Sequence, residues 1–90
     1  MKIQWLQENV VYITLPKNTK LKTMEQEIFL GIKHELTHIQ PDGTHYDLHG
    51  RKYSFRVCRF TWENSQDANT IKNRLIKSKH VKSFQILYDN

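Results

Sequence analysis

The stretch from Thr23 to Ile39, TMEQEIFLGIKHELTHI, restricts the fold more than any other part of the chain. At 100° per residue, Met24, Ile28, Ile32, Leu36 and Ile39 fall on one stripe with Phe29 at its edge. That is the pattern of a helix that buries one side. Thr23 and Gln26 have the spacing of a capping box, and Glu25 and Glu27 suit the positive end of the helix dipole. Gln40-Pro41-Asp42-Gly43 ends the segment, because proline cannot continue a helix and Asp-Gly favours a turn. Gly31 reads as a mild cost inside the helix, at a point where another backbone comes close. The expectation is one amphipathic helix over 23–39, lying on a sheet.

The remaining segments supply that sheet. Lys2 to Gln7 and Val10 to Leu15 are short β-prone runs divided by Glu8-Asn9. Pro16 closes the second run, and 17–22 is a basic connection. Thr44 to Leu48 and Tyr53 to Trp62 read as a strand pair turning through His49-Gly50-Arg51-Lys52. In the longer of these, Tyr53, Phe55 and Val57 share one face, and Cys58, Phe60 and Trp62 the other. A second helix is expected from Gln66 to Ser78, with Ser65 as its cap and Ala68, Ile71 and Leu75 on its inner stripe. Val81 to Tyr88 forms the last strand.

The order strand, helix, strand, strand, helix, strand implies one α+β domain over 1–90. Its economical form is a ferredoxin-like βαββαβ sandwich, an antiparallel sheet with both helices on one face. Lys2 to Gln7 would be an extra N-terminal strand. From Tyr53 to Asn90 the chain runs long strand, short helix, tight turn ahead of a valine, final strand. This half resembles the second half of ACT-type regulatory domains, a likeness that implies an ACT-like fold.

Charge bears on partners. Fourteen Lys and Arg against nine Asp and Glu give a net charge of +5, with five His besides. Such a balance favours nucleic acid or an acidic protein. Cys58 is the single cysteine, so no internal disulfide forms, and it reads as a small packing residue. No apolar run is long enough for a signal peptide or a membrane span, and a reduced, cytoplasmic setting is expected.

Two kinds of chemistry compete. His34-Glu35-Leu36-Thr37-His38 spells H-E-x-x-H. On a helix the two imidazoles stand one turn apart and can meet one zinc ion, with Glu35 as general base. His45 or His49 would supply the third ligand. These five residues resemble the zincin metallopeptidases, which implies His34 and His38 as ligands and Glu35 as base. The chain has no metzincin extension, no second helix with a downstream Glu ligand and little length for a substrate cleft. The plainer reading makes the histidines solvent-facing residues with Glu27 and Glu35 as charge partners.

The other reading is a binding surface. Arg51, Lys52, Arg56 and Arg59 decorate the long hairpin, and Lys72, Arg74, Lys77, Lys79 and Lys82 run along the second helix into the last strand. Such residues position phosphates, while Tyr53, Phe55 or Trp62 could stack unpaired bases on an open sheet face. Strands apolar on both sides leave one face needing cover, which a second subunit would provide. No nucleophile elbow and no glycine-rich phosphate loop occurs. The sequence therefore favours a small basic, non-enzymatic binding or regulatory module, dimeric, without a cofactor, engaging nucleic acid ahead of acidic protein. A minimal zinc hydrolase is the alternative.

Overall fold

A computed structural model describes residues 9–40, 44–46 and 48–88. Strand β1, Asn9–Pro16, leads into helix α1, Leu21–Phe29, and then strand β2, His34–Gln40. The short β3, Thr44–Tyr46, precedes the long β4, Lys52–Trp62. A 3-10 turn at Ser65–Asp67 opens helix α2, Ala68–Lys77, and β5, Ser83–Leu87, closes the described chain. The result is a small α+β fold with an antiparallel sheet in the order β2-β4-β1-β5, while β3 pairs with β4. This is compatible with the expected ferredoxin-like sandwich. The expected strand from Lys2 to Gln7 lies outside the described residues.

Alternation along β1 sets which side is covered. Val11, Ile13 and Leu15 are fully buried, and they join Cys58, Phe60 and Trp62 of β4 in the core. Met24, Ile28 and Phe29 from α1, with Ala68, Ile71 and Leu75 from α2, complete the same cluster. The inner stripe expected for α2 is therefore the one observed. Its expected cap differs: no side chain caps α2 at Asp67, Asn64 Oδ1 caps the preceding 3-10 turn by accepting from the Gln66 amide at 3.0 Å, and the Ser65 hydroxyl donates to Asn9 Oδ1 at 3.0 Å. Asn9 is buried, and its Nδ2 lies 3.3 Å from the carbonyls of both Trp62 and Glu63. One amide thus fastens the end of β4 to the start of β1.

The long helix over 23–39 is corrected to a helix, a turn and a strand. α1 begins at Leu21, with no side-chain cap at Lys20, and Thr23 sits within its first turn. It ends at Phe29, where Leu30 has φ −56° and ψ 123° and Gly31 has φ +76°. The Ile32 amide donates to the Phe29 carbonyl at 2.9 Å. Those values define a type II turn, whose third residue needs a positive φ that glycine alone adopts without strain. Gly31 is a stop rather than a tolerated interior residue. Ile28, Ile32 and Leu36 misled because a spacing of four satisfies a helix period of 3.6 and a strand period of 2 almost equally.

β2 therefore takes the place in the sheet that Thr44 to Leu48 was expected to fill. That hairpin is real but shorter: β3 pairs β4 with Thr44 opposite Ser54 and Tyr46 opposite Lys52. Among the described residues no helix is long and apolar enough to cross a membrane.

Candidate functional site

His34 and His38 now belong to a strand, which dismantles the zinc geometry. Four residues span about 6 Å along a helix but about 13 Å along a strand. The two rings also point to opposite sides of the sheet. His34 lies opposite Trp62 and Leu36 opposite Phe60, yet His38 lies opposite Arg59, because the register shifts between Leu36 and His38. Thr37 is the extra residue of a β-bulge, which reverses the alternation beyond it.

Each histidine then has separate surroundings. His34 stacks on Phe29 with ring centroids 4.4 Å apart, on the helix side. Its Nδ1 is 2.9 Å from the Ile32 carbonyl and its Nε2 is 3.2 Å from Glu25 Oε1. Both partners only accept, so the ring makes both bonds together when doubly protonated and one of them in either neutral tautomer. His38 and Glu35 are exposed on the opposite side, Glu35 facing Thr61 across the ladder. His49 is exposed in the turn before β4, and the side chain of His45 lies outside the described residues. Among the described residues no three His, Cys, Asp or Glu side chains gather closely enough to hold an ion. Among the described residues, His34 stands apart from Glu35 and His38 on opposite sides of the sheet.

The side of the sheet away from the helices is the better organised surface. Pairing places Tyr12 opposite both Arg59 and Gln85, Thr14 opposite Val57 and Ser83, and Glu35 opposite Thr61. The Arg59 guanidinium carbon lies 5.9 Å from the centre of the Tyr12 ring, within cation–π range. Arg59 Nη1 also donates to Thr37 Oγ1 at 2.7 Å, and that hydroxyl donates to the Arg59 carbonyl at 3.1 Å. The bulge thus holds the arginine over the tyrosine. His38 and Gln40 flank this pair on β2, and Phe55 lies half-buried on the same face of β4.

The described residues among the nine cationic ones singled out from the sequence are spread over both layers of the fold. Arg56 donates to the carbonyls of Lys17 and Thr19 at 2.6 and 2.7 Å, pinning the connection between β1 and α1. Arg74 donates to the carbonyls of Ile28 and Leu30 at 3.0 and 2.8 Å. It satisfies the C-terminal end of α1. Lys72 and Lys77 are exposed on α2, the layer behind the sheet, and Lys79 and Lys82 are exposed around the turn into β5. Arg51 is exposed before β4, and the side chains of Lys52 and Tyr53 lie outside the described residues. Of the described cationic residues, Arg59 alone stands at the middle of the face that no described helix covers.

Aromatic residues are redistributed as well. Trp62 is buried on the helix side with 4% exposure, so it is core rather than a stacking platform. Tyr12 holds the position expected of a stacking residue, and sequence reasoning did not single it out. The signal was present: Tyr12 is the one aromatic on the polar-side alternation of β1, between Val10 and Thr14. Cys58 is fully buried in the core, where burial pushes its thiol pKa up against the lowering effect of Arg56, with Glu25 adding to the rise. It is not an activated nucleophile.

No protein-family model matches the chain, and no curated protein matches it.

Proposed function

We propose that this chain is a small, non-enzymatic binding module that holds single-stranded nucleic acid across the open side of a ferredoxin-like, ACT-like sheet. The observation that carries this reading is the Arg59 guanidinium poised 5.9 Å from the Tyr12 ring at the centre of that side. Tyr12 is half-buried, so a base would stack on the part of its ring left open beside Arg59, with its phosphate near that cation. Around the pair lie Thr61, Gln85, Thr14, Gln40 and His38, whose hydroxyl, amide and imidazole groups suit base edges and sugar hydroxyls. The net charge of +5 favours approach by a polyanion.

A polar ligand fits this side better than a second subunit laid flat upon it. The buried centre of a homodimer interface is about 65% apolar and poor in charge. Here the central strands present Tyr12, Thr14, Arg59 and Thr61 among Val10, Phe55 and Val57, a mixed patch with a cation near its centre, so the flat stacking of two copies is the weaker reading of the surface. An acidic protein segment would engage Arg59 and His38 but make no use of the tyrosine ring as a stacking surface.

Fluorescence anisotropy with a labelled single strand of about twelve nucleotides tests the proposal. Binding at about 50 mM salt that weakens steeply as salt rises supports it. No binding at that salt rejects it, and equally tight binding of polyglutamate moves the assignment to an acidic protein partner.

A further inference from the structure

The two edges of the sheet are treated differently by the sequence. β2 forms one edge, and it carries the devices that keep strand edges apart: the bulge at Thr37, the ionisable side chains of His34, Glu35 and His38, and Pro41 just beyond its end. β5, with the sequence SFQIL, forms the other. It has no charge and no proline, and its ladder to β1 runs without a register shift. Among the described residues no strand pairs with its outer side. Phe84 and Ile86 pack against the core but remain only half-buried there, and Leu87 and Tyr88 are 50% and 40% exposed.

We propose that the outer edge of β5 pairs antiparallel with the same edge of a second copy of this chain, about a twofold axis at Gln85. Such isologous pairing puts Ser83 opposite Leu87 of the other copy, Phe84 opposite Ile86, and Gln85 opposite itself. This register uses the whole five-residue strand. It also avoids a clash of like charges, since Lys82, the nearest cation, falls opposite Tyr88 rather than another lysine. The half-buried flanks of Phe84 and Ile86 cover one another across the axis, on the helix side. The β2 edge offers nothing comparable, because self-pairing there would have to accommodate two bulges and two sets of charges.

This inference goes beyond the nucleic-acid reading and does not depend on it. A consequence joins the two: edge pairing sets the uncovered sides of both copies next to one another as one antiparallel platform, so a single strand could run from one Tyr12 to the other. A contact made by one short strand sits at the small end of interface sizes, so self-association at about tens of micromolar is expected.

Sedimentation velocity over a range of concentrations reads the outcome directly. Gln85 is exposed, so Gln85→Lys and Gln85→Glu should both keep the fold, as circular dichroism would verify. Each variant alone sets like charges across the axis and should weaken self-association about tenfold or more. An equimolar mixture of the two should recover a dimer at least as tight as the unaltered protein. If either variant unfolds, the Ser83→Lys/Leu87→Lys double variant places like charges opposite each other twice, at two exposed positions, and should also be monomeric. A monomeric unaltered protein at about 200 μM, well above the range expected for a small interface, overturns the proposal. So does a dimer indifferent to these charges, or a mixture that fails to recover.

Discussion

Arg59 leans over the ring of Tyr12 from the neighbouring strand, its guanidinium carbon 5.9 Å from the ring centre. The two residues are direct partners in the β1–β4 ladder, so the contact follows from register rather than from a chance rotamer. Thr37 steadies the arginine from the other flank. A cation is thereby held over a ring on the side of the sheet that no described helix covers.

If that surface binds single strands, Tyr12→Ala should weaken binding by about 1–3 kcal/mol without changing the salt slope. Arg59→Ala should weaken it and reduce the slope by about one. Glu35→Gln, which removes a negative charge from the same side, should tighten binding modestly. Lys72→Ala, on the helix layer, is the control and should change little. Equal losses at Lys72 and Arg59 in anisotropy titrations would place the ligand on the helices instead.

The turn after α1 makes a second expectation. Gly31 has φ +76°, and a Cβ there would meet nothing within 4 Å. Crowding therefore plays no part, and the whole cost of Gly31→Ala is conformational, about 1–2 kcal/mol. Urea denaturation should show a lower midpoint with an unchanged slope. An unaltered midpoint would mean the turn does not hold its positive φ in solution.

Gly31 also marks where sequence reasoning succeeded and where it failed. β1, β4, α2 and β5 were legible because alternation or an inner stripe pointed to one period at a time, as with Val11, Ile13 and Leu15 against Ala68, Ile71 and Leu75. The segment from Ile28 to Leu36 was not, since Ile28, Ile32 and Leu36 are spaced by four and fit either period. The decisive residue was the glycine, whose requirement for a left-handed φ outweighs any continuity of the stripe. The site followed the same logic. H-E-x-x-H carries its chemistry only on a helix, and Tyr12 became visible only once register showed which residues face it.

Asn9 should be the most sensitive polar position in the described chain. Its amide nitrogen serves the carbonyls of Trp62 and Glu63 while its oxygen receives Ser65. Asn9→Ala should cost about 1–3 kcal/mol, because buried polar groups lose their partner. Asn9→Asp should be no milder, since it turns an acceptor toward two carbonyl oxygens. Thermal melts of the two variants decide the matter, and a full-stability aspartate variant would count against this geometry.

Cys58 gives a pH dependence of definite sign. Burial raises its thiol pKa in the folded chain, Arg56 opposes this and Glu25 adds to it. Below the ordinary thiol pKa both folded and unfolded chains hold the proton, and no dependence arises from this group. Above it the unfolded chain ionises first, so stability contributed by the protonated thiol is lost as pH rises through the alkaline range. Cys58→Ala should flatten that alkaline loss, as read from urea midpoints between about pH 8 and 10. Iodoacetamide should also label the folded protein far more slowly than the unfolded one.

Added zinc should leave the melting temperature unchanged at equimolar concentration, since His34 and His38 face opposite sides. A rise of several degrees that His38→Ala abolishes would contradict the bulged register of β2.

Thr37 has one more implication. Had β2 kept all its residues in a regular ladder, its imidazole at 38 would lie over the packed interior beside Leu36, and the side of the sheet away from the helices would lack it. A single surplus residue works here as a frameshift in space: every side chain after it is delivered to the other hemisphere of the molecule. Drawing Thr37 into the ladder would therefore put Ile39 in place of His38 on the solvent-facing surface with every letter of the sequence intact, whereas deleting Thr37 would leave His38 opposite Arg59.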